Sequence, residues 1–551
     1  MRALPARVAS IDAGTGFRVA APHPLVPAEH FAGTRLEANL FAFYGESHSL
    51  APSIDWEVNP GNPHWGHDLN RFGFLVLYDV EPEQASAHRM LALIVDWLDK
   101  NGDSPRHGSP YAWQNLLNIA IRVENWWRFI AGAVRRGHCV SDSAVVQRIA
   151  LATIRQTMTL LRLIRQRGFR DNWSIIGLRA AFYILYAITP FPQRARLIAI
   201  AHGYLHAAVS EQVLPDGAQQ ELSPHYHWVA LELVSSIRAL AEEAGDRTAA
   251  WLDPTIGAMK RVLGALMSPS GAIVALGDSD AEYGARIGAF LEGKPDTAHR
   301  SNAEPEIEVF PYAGLASVRH RSTESLLVFD GGPYGTGHQH EDALGFWLCG
   351  YGEDLIVDPG RYLYEKGAGT FYAHLRSTAA HSTIRIDGQD QNAAATPTRW
   401  RRSSPGSPDI EYGNDAVTLS AVFSEGYGPE LIPVRHQRDI TLTQGGLVLH
   451  VRDLLSGEGV HEVEQIWLVS PGAWELDGRV FLATRGKARI EIASLSEQGL
   501  CCRVAEGERN PFRGWYSPRL NVITPTSAFI VKGQLTLPAV LETLIHVDAV
   551  S

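Results

Sequence analysis

Residues 87–102 read AHRMLALIVDWLDKNG, residues 325–329 read SLLVF and residues 447–451 read LVLHV; the difference in spacing between the first and the other two decides the fold. In the first stretch Ala87, Met90, Leu91, Ile94, Trp97 and Leu98 recur at helical intervals, which puts them on one stripe, and Asn101-Gly102 is a pair that ends a helix. The same spacing returns at 111–135, 143–167, 173–188, 193–212, 225–244 and 254–267, with turns such as Arg167-Gly168, Thr189-Pro190 and Pro215-Asp216-Gly217 between them. Consecutive helices on short turns curl into a bundle or a toroid of antiparallel hairpins. Beyond residue 310 the period becomes two, at 325–329, 344–348, 383–386, 417–422, 440–442 and 447–451, as antiparallel strands require. Helices followed by strands mean an α+β chain of two domains, with the loop Pro269–Pro311 as the expected crossing.

A chain of 551 residues is too long for one small binding module, and with 45% hydrophobic and 20% charged residues it has the balance of a globular protein with a large core. Its formal net charge of −11 provides no basic field for a polyanion, so nucleic acid is not expected as a partner. Of 49 basic residues only six are Lys, and Arg is the better fork for carboxylate and sulfate. Four Cys, at 139, 349, 501 and 502, form no CxxC and read as unpaired thiols. The longest apolar run, Ala180–Ile188, is far too short to span a bilayer, and the first residues carry no apolar stretch of signal-peptide type. The expectation is a cytoplasmic chain without a membrane partner, a periplasmic or secreted location being the alternative; no oligomeric state is legible.

Chemistry concentrates in three places. The densest is Gly337-His338-Gln339-His340-Glu341-Asp342, followed by Asp358 and then His374, Arg376 and His381. Imidazoles and carboxylates beside glycines suit a metal or acid/base site; in a strand His338 and His340 would share a face, and Asp358 and His381 could complete a three-residue zinc site. Histidines satisfied in the core are the bland reading. The second place runs from Asp216 through Glu221 to Tyr226 and His227, where a turn offers a phenol and an imidazole at a helix start. The third is Asn172-Trp173, which by position reads first as a helix N-cap.

Together these segments resemble the heparinase II/III and alginate lyase superfamily of polysaccharide lyases. The resemblance rests on GHQHED (337–342), VDPGRY (357–362), RSTAAH (376–381), the DGxxxExSxxYH pattern at 216–227 and LGDSD (276–280). In the helical half it adds Ile54-Asp55-Trp56, Trp65, Leu69-Asn70-Arg71-Phe72, and Trp113 with Arg122. It implies an N-terminal extension at 1–40, an (α/α) toroid at 41–305 and an antiparallel β-sandwich at 306–551, and β-elimination of an acidic polysaccharide or oligosaccharide containing uronate. Candidate substrates are heparin or heparan sulfate, hyaluronan, chondroitin, alginate and bacterial exopolysaccharides. By the same resemblance Tyr226 and His338 are the proton-transfer residues and Asn172 neutralises the uronate carboxylate. His340, Asp358 and His381 look like ligands of a structural Zn2+ in the β domain. Glu221, His227, Arg376, Tyr364, His374 and Trp173 are the implied substrate contacts; several family members carry His where this chain has Trp173.

Two other readings compete. One is a zinc-dependent hydrolase in which metal-bound hydroxide attacks, since His-x-His-x-Asp also occurs in such sites. The other is a toroid glycoside hydrolase with paired carboxylates drawn from Asp278, Asp280 and Glu221. A non-enzymatic binding scaffold is disfavoured by the joint presence of Tyr226, His338 and Asn172.

Overall fold

The computed structural model describes residues 28–550, apart from 44, 59, 61–62, 103–110, 140–142, 189–190, 282–283, 292–303, 333–336, 364–368, 392–407, 414 and 497–498. By contacts the chain divides into two compact units, residues up to Gln212 with Glu232–Pro254, and Val213–Leu231 with Thr255–Ser551. The segments 213–231 and 255–291 are therefore counted with the strands although they precede residue 305.

The first unit is the helical toroid. Helices Gln84–Asn101, Leu116–Arg135, Ala144–Arg167, Asn172–Ala187 and Arg194–Gln212 follow one another, and Leu116–Arg135 packs on the two that come next. Helix Leu116–Arg135 begins five residues after the expected start because Asn115 caps it, its side chain accepting the N–H of Asn118, as Ser143 does for the N–H of Val146 in the next helix. Arg122 explains the tryptophan-rich motifs. It is fully buried, its guanidinium 4.2 Å from the Trp97 ring centre, and it donates to Gln156 at 2.7 Å and to the carbonyls of Asn70 and Ala112. Burial pushes its pKa down to about 9, so it remains a cation at neutral pH. Asn70 in turn bonds the carbonyl of Trp56 and accepts from Trp97, so these motif residues hold the core of the toroid.

Among the described residues the second unit carries three large antiparallel sheets and two short two-stranded ones. A meander of Glu306–Phe310, Leu315–His320, Ser325–Asp330, Phe346–Gly350 and Glu353–Ile356 makes the first. In an eight-stranded sheet the C-terminal strand Ala539–Ala549 lies between Ala488–Ser494 and Val448–Ser456, and Ile384–Ile386 forms the edge of a four-stranded one. Phe329 and Leu348, Val451 and Ile545, and Trp467 and Phe529 bring one face of each sheet to a single apolar core, which makes the unit a β-sandwich. The segment 269–311 is not a plain loop: it contains helix Gly284–Leu291, whose Ile287 is buried against Trp228 and Leu263, and the first strand of the meander. No helix among the described residues is long and apolar enough to cross a membrane.

Candidate active site

The second unit gathers the chemistry in three loops and one helix start. Helix Pro224–Glu243 begins on Pro, whose missing N–H costs nothing in a first turn. Ser223 ties this start to the LGDSD loop, its hydroxyl donating to the carbonyl of Asp278 and lying 3.0 Å from the hydroxyl of Ser279. The LGDSD loop is itself laid against the GHQHED loop. Gly277 has φ +59°, a Cβ there would lie 2.6 Å from the carbonyl oxygen of His338, and the N–H of Asp278 donates to that oxygen at 2.8 Å.

Tyr226 and His338 meet as stacked rings, centroids 3.6 Å apart and planes 15° from parallel. Both are half-buried, among neighbours that are almost entirely sealed. His338 Nδ1 lies 2.9 Å from Asp278 Oδ2 and His340 Nε2 lies 3.0 Å from Asp278 Oδ1, while Arg376 donates to Oδ2 at 3.3 Å. Burial alone would raise the Asp278 carboxyl; hydrogen bonds from the two imidazoles and the charge of Arg376 overcome it and hold the group far below the carboxylate range. An ionised carboxylate only accepts, so both imidazoles direct an N–H at it. In the neutral His338 ring that leaves Nε2 as the basic atom, 3.8 Å from Glu221 Oε2. The Tyr226 hydroxyl has a partner of the opposite kind: Arg361 Nη1 donates to it at 3.0 Å.

His340, Asp358 and His381 present ligand atoms within 4.8 Å of one another, and all three are buried. They fit a cation. With Nε2 of His340 committed to Asp278, its Nδ1 is buried and makes no hydrogen bond, as is Asp342 Oδ1. His381 Nδ1 lies 2.8 Å from Asp358 Oδ2 while its Nε2 donates to the carbonyl of Leu375. Burial, reinforced by Asp342, pushes the nearby Asp330 carboxyl up to about 8, which holds it mostly as the neutral acid at pH 7. His338 is not one of the three. The segment 337–342 is irregular rather than a strand, so His338 and His340 share a carboxylate instead of a face.

Of the remaining candidates, Asn172 and Trp173 belong to the helical unit. Asp171 holds the N-cap position without a side-chain cap bond, and Asn172 is the first helical residue. The Asn172 side chain is hydrogen-bonded to no other described residue, while Gln212 pins the turn before it by donating to the carbonyls of Phe169 and Asp171. Trp173 is half-buried under the guanidinium of Arg167, 4.2 Å from the ring centre. His227 is sealed, with Nδ1 accepting the N–H of Gln219 and Nε2 donating to the carbonyl of Met259, so it secures the 216–227 turn and presents no ring nitrogen to a ligand. His374 is buried and stacks on Phe512 at 5.6 Å. Arg376 donates to the carbonyl of Gln339 as well as to Asp278, and Glu221 is buried beside His338. Tyr364 lies outside the described residues. Sequence reasoning gave no role to Arg361 or His225 and cast Asp278 and Asp280 only as paired carboxylates. The signal was present, since Arg361 stands inside VDPGRY and both aspartates inside LGDSD.

With this geometry in hand, the comparisons assign a class. Residues 31–285 match the family model of the heparinase II/III N-terminus, and residues 302–543 match that of the heparinase II/III-like C-terminal domain. The chain therefore belongs to the heparinase II/III-like family of polysaccharide lyases. Among solved structures it is similar to a mutant of heparan sulfate lyase HepC from Pedobacter heparinus, at 18% identity over 93% of this chain and 82% of that one, with a TM-score of 0.68. A heparinase III aligns at 14% identity over 91% and 80% with a TM-score of 0.74, and the heparinase III BT4657 gene product at 16% over 92% and 81% with 0.69. At such identities the likeness shows the fold, a toroid followed by a β-sandwich. No curated protein sequence matches this one.

Proposed function

We propose that this lyase cleaves a 4-linked, uronate-containing polysaccharide or oligosaccharide by β-elimination. A glycosaminoglycan of the heparan sulfate type is the first substrate to test, because the similar structures are heparan sulfate lyases and heparinases. The observation that carries the reading is the stacked Tyr226–His338 pair: two proton-transferring groups side by side, one bonded to a guanidinium and the other to a carboxylate.

Elimination needs a base for the proton on C5 and an acid for the glycosidic oxygen. As the base takes the proton, the C5–H electron pair becomes the C4–C5 double bond, the C4–O bond breaks, and the departing oxygen takes a proton. Tyr226 donates to that oxygen. His338 Nε2 or Tyr226 itself takes the C5 proton, according to the configuration at C5. Asn172 offers amide hydrogens to the uronate carboxylate, which lowers the cost of the enolate that develops beside it. Arg376 acts through Asp278, to which it is already bound.

The buried triad suits Zn2+, which takes imidazole and carboxylate ligands, and when bound the ion supplies positive charge among the surrounding carboxylates. His340, bonded to Asp278 through its other nitrogen, joins that triad to the LGDSD loop, whose Asp278 also holds His338. Against paired-carboxylate hydrolysis by Asp278, Asp280 and Glu221 stand the two-point ion pair that ties Asp280 to Arg361 and the hydrogen bonds that hold Asp278 ionised, which leave only Glu221 of the three for acid chemistry.

The test is near-ultraviolet absorbance of the protein with heparan sulfate, hyaluronan, chondroitin and alginate. The expected result is a rise with one of them that falls at least ~100-fold in Tyr226→Phe and in His338→Ala. Reducing ends appearing without absorbance would refute elimination.

A further inference from the structure

Arg361 follows Gly360, whose φ of +68° and closeness to Ser517, 2.3 Å from a Cβ to the carbonyl oxygen, suit no other residue. The N–H of Ser517 donates to the carbonyl of Pro359 at 2.9 Å, and its hydroxyl donates to the carbonyl of Arg361, so the backbone around Arg361 is clamped from both ends. The side chain is then fixed at every nitrogen. Nε and Nη2 donate to the two oxygens of Asp280 at 2.9 and 2.6 Å, Nη2 also reaches His225 Nε2 at 3.2 Å, and Nη1 reaches the Tyr226 hydroxyl at 3.0 Å. Asp280 is anchored in turn by the N–H of Leu520.

We infer that Arg361 is a positioning residue for Tyr226: held by Asp280 and His225, it donates to the phenol oxygen, turns the hydroxyl's own proton elsewhere and favours the phenolate. The inference rests on the assignment of Tyr226 to proton transfer. A guanidinium has only donors, so the phenol oxygen must accept from it, and the phenolic proton cannot lie along that bond. Charge-assisted bonds to an oxyanion are stronger than those to a neutral oxygen, so the contact gains strength as the proton leaves and holds the charge once it has left. Other charged and titratable groups face the same phenol. His338 stacks on it from the GHQHED loop, His225 precedes it on its own helix, and behind these stand Asp278, Glu221 and Asp280, all carboxylates that oppose a phenolate. His225 serves as an acceptor: burial, then the charge of Arg361, pushes it down to about 3, which keeps it neutral.

The experiment pairs kinetics with a titration that needs no substrate. The tyrosinate absorbance of the wild type minus that of Tyr226→Phe isolates Tyr226, and the same difference is taken in an Arg361→Met background. The expected result is a Tyr226 midpoint at least one pH unit higher without Arg361, with Arg361→Lys in between. For kinetics, kcat is expected to fall ~100-fold in Arg361→Met with KM within ~3-fold, and Arg361→Lys to recover at least ~10-fold of it. An unchanged midpoint overturns the inference even if the wild type yields unsaturated product. A moved midpoint sustains it even if no tested glycan is cleaved, which would count against the lyase reading alone. Should Arg361→Met fail to fold by circular dichroism, Arg361→Lys and Asp280→Asn replace it, and the absence of any midpoint change in both would overturn the inference.

Discussion

At the scale of single residues, Asp278 joins the stacked Tyr226–His338 pair to the buried triad, because one carboxylate takes hydrogen bonds from His338 and from His340. Asp278→Asn removes the charge that fixes the His338 tautomer and leaves Arg376 with a neutral partner; a fall in kcat of ~10 to 100-fold is expected, read from initial rates. A variant with wild-type kcat would show that His338 needs no carboxylate. Asn172→Ala should cost ~100-fold or more in kcat with an unchanged melting temperature, since its amide bonds no other described residue; equal loss of melting temperature would make it structural. Candidates were legible where residue types cluster in sequence, as with His338, Asp358 and His381. Arg361 was not, because its partner Tyr226 lies 135 residues earlier and an Arg by itself has many uses. His227 was legible as part of a motif but not as a backbone clamp, since nothing local shows which carbonyl its ring will meet.

At the scale of elements, the periods of 3.6 and 2 did their part because each reports a buried face, and a face is a local property of the chain. Helices Ala144–Arg167, Arg194–Gln212 and Pro224–Glu243 start and stop within a residue or two of the spacing-based bounds. Strand order was beyond reach: nothing around Ala539–Ala549 says that it will sit between Ala488–Ser494 and Val448–Ser456, a pairing settled only when the sheets close on one core. The loops that aim the site depend on glycines more than on period. In Gly360→Ala the new Cβ meets the carbonyl of Ser517 in a backbone conformation that disfavours it, so a loss of roughly 2 kcal/mol or more in urea unfolding is expected, together with reduced kcat. Full stability in that variant would mean that the turn before Arg361 is loosely held.

At the scale of the whole molecule, composition bounded the class of partner and charge argued against nucleic acid, but the balance of buried charge appeared only in three dimensions. Buried histidines make stability depend on pH. His227 is pushed down to about 4 by burial, against an unfolded value near 6.5, so between those values the unfolded chain binds a proton that the folded one refuses, and stability falls as pH drops from about 6.5 towards 4. His227→Phe should be less stable at pH 7, with its destabilisation relative to wild type shrinking by pH 5; melting temperatures at both values check this. On the proposal that the triad holds a metal, His340→Ala and Asp358→Asn should lose bound metal by elemental analysis and melt lower, as should wild type after chelation. The central claim, elimination rather than hydrolysis, is tested most directly by digesting the cleaved glycan's parent in oxygen-18 water and weighing the fragments. Elimination yields fragments whose masses sum to that of the substrate, with no heavy oxygen incorporated during cleavage and a double bond on one of them; heavy oxygen incorporated at the new reducing end on cleavage would mean hydrolysis.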